Sequence, residues 1–154
     1  ILLAPSYYTT GRRLRGYRRA FRAAGVRVDE RLVVHLSEGN AEAAAKATRE
    51  LMHLQDPPSA LFASTNFLAE GILRALGEVD RQPAVVGFDD FRLADMLPTP
   101  VTVVASDTAE LGRIAARLLL DRASGTDPRP PQRITLPCAL IQRGSGERPP
   151  PQRL

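Results

Sequence analysis

The chain has 154 residues, of which 44% are hydrophobic, so it can bury one core of ordinary size and is too apolar to be a disordered protein. Its net charge of +4 rests almost wholly on arginine, with acidic residues in the same segments, which argues against a surface dedicated to nucleic acid. Its apolar runs are too short to cross a bilayer and its single cysteine excludes an intrachain disulfide, so we expect a soluble protein of the reducing cytoplasm without membrane contact.

The first part of the chain alternates between strand-like and helix-like segments. Leu14, Tyr17 and Phe21 recur at helical spacing and give the first helix one apolar face, and Gly25 ends that helix. Asn40 is a typical N-cap for an alanine-rich second helix. The predicted order is a strand over 1–4, a helix over 11–24, a strand over 32–36 and a helix over 40–54.

The middle of the chain repeats this alternation. The pattern predicts a buried strand over 60–63, a helix over 67–76 and a strand over 84–86. Leu68, Ile72 and Leu76 form the apolar stripe of this third helix, but Ala69 and Leu73 widen the stripe beyond what one sheet face needs. We therefore expect a second packing partner for this helix.

The last part of the chain contains one more helix between strand-like runs. Asp107, with Glu110 three residues later, approximates a capping box at the start of this helix. The predicted elements are a strand over 101–104, a helix over 107–123, strands over 134–136 and 139–141, and a flexible tail from Gly146.

Strict alternation of strands and helices indicates crossover connections and therefore a parallel sheet with flanking helices, an α/β fold. In such a sheet, a ligand binds beyond the carboxyl ends of the strands. The residues that follow the predicted strands are Tyr7 and Thr9, Glu38 to Asn40, Ser64 to Asn66, and Phe88 to Asp90. Hydroxyls, an amide and carboxylates would thus meet at one edge, which favours binding of a small polar molecule.

Each polar residue at this edge also has a purely structural interpretation. Arg13 could present its planar guanidinium to a hydroxyl pair or a carboxylate, or it could be one more solvated arginine. Asp89 could accept two hydrogen bonds from a ligand, or it could be a turn carboxylate. Thr65 and Asn66 could contact a ligand, or they could only cap the third helix.

The sequence gives little support for an enzyme or a metal centre. Gly144-Ser145-Gly146 lacks the spacing of a nucleophile elbow, and no glycine-rich phosphate loop follows a strand. His35 and His53 are not spaced to share a metal ion, and Cys138 is expected to pack inside. We therefore expect no catalytic activity, no metal and no cofactor.

Five segments, taken together, resemble the LacI/GalR (lactose-repressor) family of transcriptional regulators. They are Ala60-Leu61-Phe62-Ala63-Ser64, residues 69–76, Val85-Val86-Gly87-Phe88-Asp89-Asp90, residues 110–120, and Leu140-Ile141-Gln142-Arg143-Gly144-Ser145. The order and spacing of these segments cover nearly the whole chain. The resemblance implies a Rossmann-like lobe of a periplasmic-binding-protein-like type I fold.

The resemblance also implies a division of the chain. Residues 1–105 would form the carboxyl-terminal lobe of the effector-binding core, and 106–136 would be a crossover helix and strand belonging with an amino-terminal lobe. Residues 137–145 would return to the first lobe, and 146–154 would be a flexible tail. Because the sequence opens at Ile1 without a Met or a secretory leader, we expect the rest of the core and a DNA-reading helix-turn-helix to precede it.

Carried over by position, the family pattern assigns a set of effector-contacting residues and a dimer contact. Two departures from the family are Thr65-Asn66 in place of its usual Asn-Asp, and Gly39 at the position of a stacking aromatic ring. Another is Ser106, where many relatives have Gln. The implied effector residues are Tyr7, Thr9, Arg13, Thr65, Asn66, Asp89 and Ser106, and the implied homodimer contact involves Ala69, Glu70, Leu73 and Phe91.

The resemblance therefore predicts an effector-sensing and dimerisation domain of a repressor that reads operator DNA through another domain. The effector would be sugar-like or another polar metabolite, although the missing ring weakens the case for an ordinary sugar. The alternative is a periplasmic solute-binding protein of a transporter, which shares this fold and ligand geometry.

Overall fold

Six strands and four α-helices make up the part of the chain that the structure describes, which is residues 1–4 and 7–149 of a computed structural model. The strands are β1 (Leu2–Leu3), β2 (Val34–His35), β3 (Ala60–Ala63), β4 (Ala84–Phe88), β5 (Thr102–Ser106) and β6 (Cys138–Ile141). The helices are α1 (Tyr8–Ala23), α2 (Ala41–Met52), α3 (Asn66–Leu76) and α4 (Thr108–Ala123), and a short 3-10 helix spans Glu30–Leu32.

The strands form one sheet in the order β2-β1-β3-β4-β5-β6. The first five are parallel, with Phe62 opposite Val86, whereas β6 runs antiparallel to β5 and places Ile141 opposite Val103. The predicted α/β class and its mostly parallel sheet are therefore confirmed. Since parallel neighbours end at the same edge, the ends of β1, β3, β4 and β5 bring four distant loops together.

The larger hydrophobic core lies between the sheet and helices α2 and α3. Leu2, Leu61, Val85 and Val103 face this side from neighbouring strands, and each is almost completely buried. Leu68 of α3 lies among them and is fully buried as well. Burial of side chains of this size typically stabilises a fold by about 1.5–3 kcal/mol each, so this layer holds the strand ends in place.

Helix α2 packs closely on α3. The two helices approach so closely at Gly71 that a Cβ atom there would lie 2.2 Å from the carbonyl oxygen of Ala41 and 2.7 Å from the Cβ atom of Ala44. Ala69 is fully buried, and its Cβ atom packs toward Gly87 of β4. Ala69, one of the two residues that widen the stripe, is therefore covered by the sheet, whereas Leu73 is half-buried.

The opposite face of the sheet is covered in part by α1. Ile1, Leu3 and Leu14 form a second, smaller cluster there, and Tyr17 and Phe62 pack against it. The structure starts this helix at Tyr8, three residues before the predicted start at Gly11, with Tyr7 as an N-cap whose side chain makes no capping hydrogen bond. Thr10, in the added turn, is buried, which shows that the early start contributes to packing.

The three N-caps that the sequence suggested are present. The side chain of Asn40 accepts a hydrogen bond from the Ala43 N–H at 2.9 Å, and that of Asp107 accepts one from the Glu110 N–H at 2.8 Å. Thr65 caps α3. None of the described helices has the length and apolar character needed to cross a membrane.

Helix α4 stands away from the rest of the fold. None of its side chains, all of which the structure describes, is buried, and Leu111, Leu119 and Leu120 are exposed. The strand predicted over 134–136 is wrong, because the structure assigns no strand to these residues. A strand needs a hydrogen-bonding neighbour, and apolar alternation alone does not supply one.

The segment expected to be a flexible tail is held down where it begins. The carboxylate of Glu147 accepts a hydrogen bond from the Thr102 hydroxyl and another from the Gly144 N–H, both at 2.8 Å. Arg148 donates a hydrogen bond to the Thr99 hydroxyl at 2.5 Å. The first residues of this segment are therefore hydrogen-bonded to the rest of the fold, flexibility of the tail stays a prediction, and residues 150–154 lie outside the described part of the chain.

Candidate functional site

Arg13 lies at the centre of the predicted ligand edge. Its guanidinium donates a hydrogen bond to the backbone carbonyl of Ser64, at the end of β3, and stacks on the ring of Phe88, at the end of β4, with 3.7 Å from its central carbon to the ring centroid. A terminal nitrogen of the guanidinium lies 3.5 Å from a carboxylate oxygen of Asp89. Arg13 is therefore not one more solvated surface arginine, since its side chain is only 17% exposed.

The electrostatics of Arg13 follow from this position. Desolvation by burial lowers the pKa of its guanidinium, while the nearby carboxylate of Asp89 raises it. Arginine stays protonated in proteins even when its pKa is lowered. The edge therefore presents a fixed positive charge with a carboxylate beside it.

Asp89 adopts an unusual backbone conformation directly after β4. Its φ angle is +68°, in the left-handed region that Asp and Asn tolerate better than other side chains. Its N–H donates to the carbonyl oxygen of Val104 at 2.9 Å, which extends the pairing between β4 and β5. The side chain is 43% exposed, so its oxygens remain accessible to a ligand.

The neighbouring carboxylate has a different role. Asp90 accepts two hydrogen bonds from the guanidinium of Arg143, each at 2.7 Å, and this pairing holds the pKa of Asp90 below its usual range. The Phe91 N–H donates to the same carboxylate. Asp90 thus ties the loop after β4 to the segment after β6, and it leaves Asp89 as the carboxylate beside Arg13.

The side chains of Thr65 and Asn66 accept hydrogen bonds from backbone N–H groups at the start of α3. The Thr65 hydroxyl oxygen accepts from the Leu68 N–H at 3.4 Å, and the side-chain oxygen of Asn66 accepts from the Phe67 N–H at 3.0 Å. Both contacts use acceptor atoms, so the donor hydrogens of the hydroxyl and the amide can still reach a ligand. The capping interpretation holds for Thr65, and ligand contact stays a prediction for both residues.

The remaining predicted effector residues lie around this centre. Thr9 is exposed on α1 and lines the same groove as Arg13, and Tyr7 is exposed at the start of that helix. Ser106 ends β5 and lies opposite Cys138 of β6 in the sheet. Cys138 is exposed, contrary to its expected packing inside, because β6 lies at the edge of the sheet.

Two residues that contact Arg13 were named by the strand-end argument without a role. They are Ser64 and Phe88, whose contacts join α1 to β3 and β4. The two-residue alternation of the strand could have found Phe88, since it places Phe62, Val86 and Phe88 on the sheet face that α1 covers. These three side chains line a groove of 960 Å³ that Arg13 also lines.

The predicted dimer contact needs one correction. Ala69 is fully buried against the sheet and has no surface to offer a second subunit. Glu70 is exposed, whereas Leu73 and Phe91 are half-buried at the margin of the larger core. The same two segments expose further apolar side chains, namely Phe67 at the start of α3 and Leu93 and Met96 after β4.

Within the described residues, no group of three or more histidine, cysteine, aspartate or glutamate side chains could hold a metal ion. His53 lies at the end of α2, where its ring contacts the Arg49 carbonyl, and His35 is in β2. The chemistry of the edge is therefore that of hydrogen bonding from one guanidinium, one carboxylate and several hydroxyl and amide groups.

Comparison with known proteins gives a match over nearly the whole chain. The model of the periplasmic binding protein-like domain matches residues 2–146. The transcriptional repressor CytR of Escherichia coli K12 is 34% identical over 140 residues, which are 86% of this chain and 40% of that protein. The transcriptional regulator CelR of Thermobifida fusca is 38% identical over 138 residues, again 40% of its length. The chain thus spans about two fifths of these relatives.

Solved structures agree with the sequence relatives. The complex of the transcriptional regulator CelR with cellobiose superposes with a TM-score of 0.82 at 35% identity, over 94% of this chain and 46% of that one. A LacI-family regulatory protein from Chloroflexus aggregans superposes with a TM-score of 0.83 at 28% identity, over 94% of this chain and 53% of that one.

Proposed function

Since this chain belongs to the periplasmic binding protein-like domain family, in the group of LacI/GalR regulators, we propose that it is the effector-sensing and dimerisation part of a cytoplasmic repressor. Operator DNA would be read by a part of the protein outside this chain. The relatives CytR and CelR are named as transcription regulators, which supports this function over a transport receptor and over an enzyme.

The observation that carries the proposal is the pairing of Arg13 with Asp89 at the carboxyl edge of the sheet. A guanidinium and a carboxylate side by side offer donors and acceptors to neighbouring hydroxyl groups while their charges cancel. We therefore propose an uncharged, hydroxyl-rich effector, contacted in addition by Thr9, Thr65 and Asn66. That a related regulator was solved with cellobiose supports this class.

Effector binding would act on DNA by shifting the balance between two arrangements of the protein. A ligand changes such a balance only through its different affinities for the two states. Coupling energies of this kind are typically about 1–3 kcal/mol, which corresponds to roughly a 5- to 150-fold change in operator affinity. A gel-shift titration of operator DNA with and without effector measures this coupling.

The effector site is tested by calorimetric titration of the full-length protein with a panel of neutral mono- and disaccharides and nucleosides. Hydrogen bonds to a charged group contribute about 1.5–3 kcal/mol, so Arg13→Ala should weaken binding by roughly 10- to 150-fold. Asp89→Asn should weaken binding as well, and Asn tolerates the left-handed backbone at this position.

Two variants serve as matched controls for these substitutions. Arg15→Ala removes an exposed arginine from the same helix, and Asp80→Asn removes an exposed carboxylate elsewhere. Both should bind like the wild type. Binding by none of the panel would refute the effector class, and unchanged binding by Arg13→Ala would remove Arg13 from the site.

We also propose that the protein forms a homodimer through the start of α3 and the segment after β4. Exposed apolar side chains of these two segments support the proposal, since Met96 is 75% exposed and Phe67 is 57% exposed, and a second subunit would remove them from water. Glu70, Leu73 and Phe91 border this surface. In sedimentation experiments Met96→Glu should shift the protein toward monomer, whereas Leu54→Glu at the end of α2 should not.

A further inference from the structure

The guanidinium of Arg13 is held on two sides by groups that belong to the fold. Its central carbon lies over the Phe88 ring, 3.7 Å from the ring centroid, a distance within the range of cation–π contacts. Phe88 is the last residue of β4 and is itself half-buried, so its backbone is held in the sheet. The ring therefore supports one side of the guanidinium.

The second contact fixes one edge of the guanidinium. Arg13 donates to the backbone carbonyl of Ser64, and Ser64 is completely buried. The N–H of Ser64 donates to the Leu2 carbonyl at 3.1 Å, and its hydroxyl oxygen accepts from the Ala4 N–H at 3.0 Å. These two hydrogen bonds fix Ser64 to β1 and to the residue that follows it. The Ser64 carbonyl is therefore an acceptor of fixed position for Arg13.

The contact with Asp89 is looser than these two. At 3.5 Å it lies beyond ordinary hydrogen-bond distance for a charged pair, and the carboxylate is 43% exposed. One edge of the guanidinium is thus hydrogen-bonded to the Ser64 carbonyl, whereas the side toward Asp89 can exchange its contact with the carboxylate for a contact with a ligand. A ligand hydroxyl can take up donors on that side without displacing either the ring or the carbonyl.

We infer that Phe88 is a positioning residue that, together with the Ser64 carbonyl, holds the Arg13 guanidinium in its binding orientation before the effector arrives. This inference rests on the proposed function, in which Arg13 contacts the effector. Ordering a flexible side chain on binding costs affinity, and a side chain ordered beforehand avoids that cost. The specific consequence is that the Phe88 ring should affect effector affinity only through Arg13.

The orientation can be measured without any ligand. In the full-length protein labelled with ¹⁵N only in arginine, the Nε–H proton of Arg13 should be shifted upfield by the ring current of Phe88. The Arg13→Lys variant identifies the signal by its disappearance. An Arg13 signal at the shift of exposed arginines such as Arg15, unchanged in Phe88→Leu, would overturn the inference.

The effect on binding is measured by calorimetry with whichever sugar or nucleoside of the panel binds the wild type. Cation–π contacts range in strength from exposed to partly desolvated ones. Over that range, Phe88→Leu should weaken effector binding by about three- to thirtyfold. Phe88→Tyr keeps the aromatic face and should restore affinity close to that of the wild type. Thermal melts of both variants separate this effect from loss of folding.

A double-mutant cycle distinguishes positioning from direct contact. In the Arg13→Ala background, Phe88→Leu should cause no further loss of affinity, because the group that the ring positions is gone. A further loss of the same size would mean that the ring contacts the effector itself, and the inference would be wrong. If Arg13→Ala alone leaves binding unchanged, the proposed function fails instead.

Discussion

Replacement of Gly71 by alanine perturbs a close contact between helices α2 and α3. Gly71 lies in α3 and contacts α2 directly. No residue with a Cβ atom fits this contact unless the helices move. The added Cβ atom would lie 2.2 Å from the backbone oxygen of Ala41, whereas real Cβ contacts below 3.0 Å are essentially unknown. Because the clash involves backbone, a side-chain rotation cannot relieve it.

The magnitude follows from what must move. The two helices would have to separate by about 1 Å to reach an ordinary contact, and a gap of that size forfeits a quarter to a half of the dispersion energy at the interface. Overpacking of this kind costs about 1–3 kcal/mol and sometimes more, while alanine in a helix returns about 1 kcal/mol relative to glycine. Because the clash involves backbone, the cost of overpacking for Gly71→Ala should lie near ~3 kcal/mol, the upper end of this range. The net loss in the free energy of unfolding is then about 2 kcal/mol.

Urea denaturation followed by circular dichroism measures this loss. Gly16→Ala is the matched control, because Gly16 also lies within a helix but nothing is within 4 Å of its added Cβ atom. That variant should gain about 0.5–1 kcal/mol from helix propensity alone. If Gly71→Ala were as stable as Gly16→Ala, the close packing of α2 on α3 would be refuted.

Two further predictions concern the segments that brace the ligand edge. Ser145 is buried, and its hydroxyl bonds two backbone groups, so Ser145→Ala should lower the free energy of unfolding by about 1–3 kcal/mol, whereas exposed Ser59→Ala should change it by less than about 0.5 kcal/mol. Equal effects in denaturant melts would contradict this. Arg143 lowers the pKa of Asp90 in the folded state, so their pairing stabilises above the unfolded pKa near 3.9 and this stabilisation is lost as the pH falls through the folded pKa. Because the pair is partly exposed, its contribution is about 1 kcal/mol or less, and the stability difference between wild type and Asp90→Asn should disappear in acid; a constant difference from pH 7 to pH 2 would argue against the pairing.

Local sequence patterns predicted most of the secondary structure. The helical spacing of Leu14, Tyr17 and Phe21 placed α1, and the caps Asn40 and Asp107 lie where the sequence put them. These signals work because capping and one-sided burial depend on residues that are near in sequence. The strand over 134–136 failed for the same reason, since a strand is defined by a partner that local pattern does not reveal.

The candidate site was predicted in outline. The rule that ligands bind beyond the ends of parallel strands predicted Asp89 at the ligand edge, with Arg13 at the start of the first predicted helix, and the structure brings their side chains together. The rule could not show which of two adjacent carboxylates is available. That depends on Arg143, which lies 53 residues beyond Asp90 and pairs with it.

The sequence alone determined the α/β class, the positions of the four helices and the strand ends where a ligand would bind. Only the tertiary structure decided that Ala69 packs on the sheet beside Gly87, so that it is core rather than interface. Only it placed Phe88 beneath Arg13. The physical reason is that periodicity encodes which face of an element is apolar, whereas the identity of what packs on that face depends on distant residues that meet in the folded chain.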